Sequence, residues 1–432
     1  AMLAIWPVLL APTQQMIGHD QGDVWNHAWG SWWFWQSLLD GTLPWNTDWL
    51  NAPNGGTLWF IDPIGALIGL PFTALFGPIL AFNATVLVYA ATTSWAAARL
   101  VSRISGPGLH CLAASVAILF GPYLLSEVHN GISEAYNLAP AILALTAGHD
   151  ALQKGARRDW RHLALFLALT GLGSFYYLLS TSLVLAVWGL FWIAKRPPAT
   201  QWILAVKSGL LATVFILPLA LIMKASVHAD SPLIFRDGGD MAILQLHNAV
   251  DPRTYLWPFG FQSVDLESQG EAFLHSGYIG WTVLVLAGLS WKSQAPRSWF
   301  AAIGVLLVLG LGARLSVNGS WVELSSGATL SLPYAFLQKI LPSEALTHSL
   351  RVAMPAVVLL AVLAAASLSK WTRNHTLLVL AWIPFEMVVI GGSPWPPERT
   401  NPLETSYLQH IQEQDTHGIV LDLPGAVGNS MA

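Results

Sequence analysis

Charged residues are scarce: only 10% of the 432 residues are Asp, Glu, Lys or Arg, where soluble domains carry about a quarter. That excludes an ordinary water-soluble fold for the chain as a whole. Cysteine is almost absent. Cys111 stands alone inside an apolar run, which excludes an intrachain disulfide and a cysteine-rich metal centre and leaves it as a small core residue. Excess positive charge is missing as well, since the net charge is −4, and a nucleic-acid partner is therefore excluded. No polar stretch is long enough for a large soluble domain. No close internal repeat is visible, which disfavours the repeat-built transporters. What remains is 54% hydrophobic, with 22 tryptophans and apolar runs from end to end, the composition of an integral membrane protein.

The apolar pattern predicts an all-α membrane bundle of about 11 transmembrane helices. A first span ends near Leu10, and further spans are expected at 78–98, 109–125, 136–152, 162–172, 176–194, 202–223, 277–291, 299–312, 352–368 and 376–391. Residues 61–76 carry Asp62, Pro63 and Pro71 and read as a short half-buried helix, because proline removes a backbone donor that lipid cannot replace. Charge placement orients the bundle. If the first loop lies outside, twelve basic residues fall in short loops on the inner side, from Arg99 and Arg103 to Lys370 and Arg373, against seven in much longer outer loops. The positive-inside rule then places the C-terminus outside. The outer loops at 224–276 and 312–351 are long enough to cover a site at the membrane surface, and 224–276 is expected to act as a lid. Residues 1–391 form the membrane domain, and 392–432 begin a C-terminal extracytoplasmic segment; both ends of the chain read as cut from something longer.

The chemistry concentrates after the first apolar segment, at Gly18-His19-Asp20-Gln21-Gly22-Asp23. Two carboxylates three residues apart can face one ligand or metal if the backbone turns there. Behind them, Trp25, Ala28, Trp29, Trp32, Trp35 and Leu39 recur at helical spacing, with Asn26 off that stripe. This predicts a helix over 24–39 lying in the membrane interface, where indole rings prefer to sit. The plain alternative is a pair of acids that solvate a loop.

Three further sets draw attention. Glu127, His129, Asn130 and Glu134 cluster at the outer mouth between two spans, where polar groups must face water or one another. Arg351, beside His348 at a span entry, can pair with a phosphate or snorkel to the interface. Glu386 is an acid within a span, open to a capping, packing or site role. His247, Asp251, Arg253, Glu271 and His275 have metal-compatible chemistry without metal-specific spacing, and a structural or substrate-contacting role suits them better than zinc.

These stretches carry a resemblance. The run from Gly18 to Trp29, then Pro53-Asn54-Gly55-Gly56, Gly77-Pro78 with Ala81-Phe82-Asn83, Gly121-Pro122-Tyr123 with His129-Asn130-Gly131, Glu271-Ala272-Phe273 leading to Gly277-Tyr278-Ile279-Gly280, Leu332-Pro333-Tyr334 and Leu421-Asp422-Leu423-Pro424 follow one another in a familiar order. The chain resembles large bacterial multipass proteins described as glycosyltransferase-like or YfhO-like, which are similar to the GT-C superfamily. The resemblance implies a GT-C-like bundle in the bacterial inner membrane, with a catalytic acid in an extracytoplasmic first loop. It also implies a sugar donor carried on a polyprenyl phosphate, drawn from the surrounding membrane lipid, and an extracytoplasmic acceptor. Asp20 and Asp23 match the acidic motif, either as general base or as ligands of a divalent cation such as Mg²⁺ or Mn²⁺; the chain lacks a clean Asp-x-Asp, so neither acid is singled out. Where relatives often show paired arginines around a proline, only Arg351 can be carried over. His19, Asn26, His129, Asn130, Glu134, Glu271 and Arg351 are then the expected substrate-binding residues. Two rivals stand beside the enzyme: a transporter or flippase of lipid-linked glycans, which would need a polar path through the bundle, and a non-catalytic assembly protein on the same scaffold.

Overall fold

A computed structural model describes residues 1–20, 22–50, 55–57, 62–227, 238–258, 273–291, 297–341 and 346–402. Within them the chain is a membrane protein built almost wholly of helices. They are α1 Val24–Leu39, α2 Pro63–Phe76, α3 Pro78–Ser105, α4 Cys111–Leu119, α5 Pro122–His129, α6 Ser133–Tyr136, α7 Ala139–Lys154 and α8 Arg157–Gly173. After these come α9 Phe175–Ile193, α10 Ala199–Val227, α11 Gly238–His247, α12 Trp281–Ser290, α13 Arg297–Gly310, α14 Tyr334–Ile340, α15 Ser349–Ser367 and α16 Arg373–Phe385. A π-helical turn, Glu386–Ile390, extends α16.

Five of these are long and apolar enough to cross a bilayer: α3, α9, α10, α15 and α16 with its π turn. A sixth crossing results if α4 and α5 are one span bent by 44° at its break. The expected eleven spans are thus not all present as full-length helices. The segment expected to be the first span makes a single 3-10 turn, Trp6–Leu9. The span expected over 109–125 breaks at Gly121-Pro122, where the proline has no N–H to continue the ladder. α7, α8, α12 and α13 form where spans were expected but reach only 16, 17, 10 and 14 residues, less than the roughly 20 residues that match the hydrocarbon thickness. α2 is the short helix expected over 61–76. It begins where Asp62 accepts a hydrogen bond from Gly65 N and proline occupies the first turn, a position that has no donor to lose.

The core is organised around α15, whose residues from Leu350 to Ala366 are buried on nearly every side against α3, α4, α9, α12 and α13. Its alanines let neighbouring backbones approach closely. α10 is comparably apolar and lies at the periphery, with Leu210, Val214 and Leu221 exposed. Of the expected lid over 224–276, residues 228–237 and 259–272 lie outside the described set, as does most of the C-terminal segment expected over 392–432. Past α16 the chain turns back: Arg399 and Thr400 pair antiparallel with Ile17 and Met16.

Candidate active site

The site forms where the acidic loop meets the turn between α5 and α6. Asn83 of α3 anchors the loop, donating to Pro12 O at 2.8 Å and Gln15 O at 2.7 Å and accepting from Ile17 N at 3.1 Å. His19 N then donates to His129 O, and Asp23 N to Asn130 O, each at 2.7 Å. Glycine permits this approach. A Cβ on Gly22 would sit 2.4 Å from Asn130 O, and one on Gly131, whose φ is +78°, would sit 2.5 Å from Val24 N.

The two acids of the motif face different surroundings. Asp20 has a side chain 61% exposed, with His19 Nδ1 3.5 Å away. Asp23 turns inward at the start of α1. It makes no capping hydrogen bond to the helix backbone; instead its Oδ1 accepts from Asn26 Nδ2 at 3.1 Å. Burial raises its pKa to about 6, against the opposing charge of His27 and with the support of Glu134. A shared ligand for the pair, expected from the three-residue spacing, does not follow from this geometry, because the turn after Asp20 directs one carboxylate to solvent and the other to the bundle. Among the described residues no three His, Cys, Asp or Glu side chains converge as a metal seat. Mg²⁺ is commonly held by only one or two carboxylates together with substrate phosphates, and the steps below are derived for the protein's own groups.

Behind Asp23 lies a buried polar cluster. Arg351, entering with α15, places Nη2 3.4 Å from Glu127 Oε2 and Nη1 3.7 Å from Glu134 Oε1, and its guanidinium lies 5.7 Å from the Tyr176 ring. His27, one turn along α1 from Asp23, sets Nε2 3.2 Å from Glu134 Oε2 and Nδ1 3.1 Å from Ser133 Oγ. Ser133 Oγ also donates to Asp62 Oδ2 at 3.2 Å, and Tyr89 Oη donates to the same oxygen at 2.8 Å. Burial raises the Asp62 pKa, opposed by the hydrogen bond from Gly65. Several buried atoms here have no hydrogen-bond partner: Glu127 Oε1, His129 Nδ1 and Arg351 Nε. Such groups are costly to leave unpaired, which is the signature of a place that takes up a polar ligand or water.

Asp23, Asn26, Glu134 and Arg351 are thus brought together, while Asp20 and His19 stand at the rim, where the His19 ring packs 5.1 Å from that of His129. Asn130, expected to touch substrate, is fully buried and acts as a clamp: its Nδ2 donates to Leu274 O and its Oδ1 accepts from Leu274 N, both at 2.8 Å. Glu271 lies outside the described residues. Glu386 caps α12, accepting from Trp281 N at 2.5 Å and from Thr282 N at 3.2 Å. Asp251 likewise serves structure, joining Arg253 to the backbone of Asn318. His27, Asp62 and Ser133 were not singled out from sequence. For His27 a signal existed, its position four residues after Asp23 on one helix face; for the other two nothing local marks the role.

No family model matches the chain, and no curated protein sequence does. Solved structures do. Over 95% of its length the chain superposes on 29% of a cryo-EM structure of the mycobacterial arabinofuranosyltransferase AftD, a mutant form, with a TM-score of 0.50 and 16% identity. A second AftD structure aligns with a TM-score of 0.48 and 15% identity over 95% of this chain and 28% of that one. The chain spans less than a third of the length of AftD, and at this identity the first likeness speaks for the fold alone.

Proposed function

We propose that this chain is a GT-C-type membrane glycosyltransferase, moving a sugar from a polyprenyl-phosphate donor to an acceptor hydroxyl outside the cytoplasm. The observation that carries the reading is the convergence of Asp23, Glu127, Glu134, His27 and Arg351 at one end of an otherwise apolar bundle. Ionisable groups are retained in such a setting at substantial cost, and function is the usual reason. The shared fold with an arabinofuranosyltransferase supports the same reading.

In the reaction the acceptor oxygen bonds to the anomeric carbon, and the bond from that carbon to the phosphate oxygen breaks with its electron pair left on the lipid phosphate. The hydroxyl proton passes to the Asp23 carboxylate. A carboxyl with a pKa of about 6 is ionised at neutral pH and still basic enough to accept that proton. Glu134 and Asn26 hold Asp23 and its neighbours in place. Arg351 is already bracketed by Glu127 and Glu134, so its unpaired Nε is the part left for a phosphate oxygen. His19, His129 and Asp20 line the outer rim.

Incubation of the purified protein in nanodiscs with a panel of labelled polyprenyl-phosphate sugars tests the reading. Release of lipid phosphate that depends on Asp23 supports it, and no release from any donor overturns it. The extracytoplasmic placement rests on the twelve-to-seven bias of basic residues in the loops. In a Cys111→Ala background, a cysteine at the exposed position of Asp48 is expected to label from outside intact cells, and one at Arg158 is not; labelling of Arg158→Cys alone reverses the orientation.

A further inference from the structure

A buried pair of histidines lies beside the site, and no step of the proposed reaction uses it. His247 ends α11, His275 precedes α12, and their rings meet edge to face with 4.5 Å between centroids. They are 1% and 8% exposed. Neither ring nitrogen of His275 has a hydrogen-bond partner among the described residues, so an imidazolium there would bury two N–H donors with nothing to accept them. Charge opposes it as well. Among the described residues the groups that act on His275 are His247 and the Arg351 guanidinium of α15, and both disfavour a proton. Glu127 and Glu134 face that guanidinium at 3.4 and 3.7 Å and offset part of its charge. Burial holds the His247 pKa down to about 4, against a hydrogen bond to the Phe273 backbone. Burial, then His247 and Arg351, hold that of His275 well below the ordinary histidine value.

The pair joins two segments that brace the site. Next to His275, Leu274 is clamped through its N–H and its carbonyl by the Asn130 side chain, and Asn130 O accepts from Asp23 N. Next to His247, Asn248 O accepts from Leu350 N at 2.9 Å and from Ser349 Oγ at 3.2 Å, at the start of the helix that carries Arg351. We propose that the His247–His275 contact is an acid-sensitive latch, closed while both rings are neutral and released when they take up protons, so that residues 273–276 part from α11 and loosen the Asn130 side of the site. It goes beyond the glycosyltransferase reading and does not rest on it. Both rings have a lower pKa in the closed form than the 6.5 of a free histidine, so the closed form binds fewer protons than the open one. Closure is therefore fully favoured above pH 6.5 and weakens as pH falls below it, by up to about tenfold per pH unit for each histidine that opening exposes. Asp23 cannot supply this response, because its raised pKa favours the folded chain at low pH.

Amide hydrogen exchange of the full chain in nanodiscs tests the latch, with rates corrected for the intrinsic effect of pH. Between pH 7.5 and pH 5.5 the amides of residues 273–276 are expected to exchange about tenfold faster in the wild type, the response of one histidine. The increase should vanish in His275→Phe, which keeps a ring and cannot take a proton, and in His275→Gln, a second neutral replacement should the first not fold. Exchange at the imidazole C2–H, read peptide by peptide in the wild-type chain, follows the protonation of each histidine without any substitution. Proton uptake by His247 or His275 that coincides with the rise in amide exchange supports the latch. Equal protection of 273–276 at both pH values, a full acid response in either variant, or protonation of the pair with the amides still protected overturns it.

Discussion

Two polar clusters lie toward opposite ends of α3, whose Asn83 holds the site loop and whose Arg103 reaches the other cluster, about 30 Å along the axis at 1.5 Å per residue. At its beginning lies the site, where Glu127 and Arg351 are 1% and 10% exposed. At its far end, Asp150 meets Arg103 at 3.6 Å and Lys154 at 2.8 Å, and those cations are 42% and 55% exposed. The same residue types have opposite energetics in the two places. The far cluster keeps its cations in water, where each pair contributes little. The site cluster is desolvated, so its members depend on one another, and removing one strands the rest.

The largest contrast should come from Asp23→Asn, which keeps size and the contact with Asn26 but removes the proton acceptor. A rate loss on the order of 10² to 10⁴ is expected, the range for a general base, while Asp20→Asn at the exposed rim should retain most activity; steady-state transfer assays read both. Near-normal transfer by Asp23→Asn would place the base elsewhere. The pH profile sharpens this: kcat/KM of the wild type should rise through about pH 6 as Asp23 ionises, and the limb should vanish in the variant.

Next in size is Arg351→Met. It leaves Glu127 without its arginine and Glu134 with His27 alone, and a loss of about 3 to 5 kcal/mol is expected, measured by denaturation in detergent. A small loss would mean that the two carboxyls share a proton well enough to dispense with the arginine.

Asp23 also makes stability depend on pH. Its folded pKa, about 6, stands above the ordinary aspartate value of 3.8, so between those values the folded chain holds a proton that the unfolded chain has released. Stability is therefore lost as pH rises through that window. Asp23→Asn should gain midpoint temperature relative to wild type from pH 4 to pH 6.5 and show no further gain beyond; a constant difference across the range would remove Asp23 as its source.

The smallest effect belongs to the far end. Lys154→Ala breaks an i,i+4 pair whose cation is half in water, and about 0.5 kcal/mol is expected. A loss as large as that of Arg351→Met would erase the distinction between the two clusters.

Local pattern was enough for much of this molecule. The helix expected over 24–39 runs from Val24 to Leu39, because its apolar residues recur at helical spacing and no proline interrupts them. Trp33, off the expected stripe, is buried, lies stacked at 5.8 Å on Trp29 of the stripe and donates to Pro44 O. The short α2 followed from Asp62-Pro63, a helix start written in adjacent residues. Asp23 was visible as part of the acid-, histidine- and glycine-rich motif at 18–23, and Arg351 as an ionisable group at the entry of an apolar run.

Other features depended on contacts between distant segments. α10 and α15 are comparably apolar, yet α15 is enclosed and α10 is peripheral, since hydropathy measures transfer out of water and does not distinguish lipid from protein. Asp20 and Asp23 look alike in the chain and are separated by a turn that only the close approach of Gly22 and Gly131 to the opposing backbone permits. His27, Asp62, the adjacent pair Ser133 and Glu134, and Arg351 come from four places in the sequence. Composition and periodicity pointed to a helical membrane protein with an acidic loop after its first apolar segment. Which acid turns inward and what surrounds it were decided by tertiary packing, because a pKa is a property of neighbours in space.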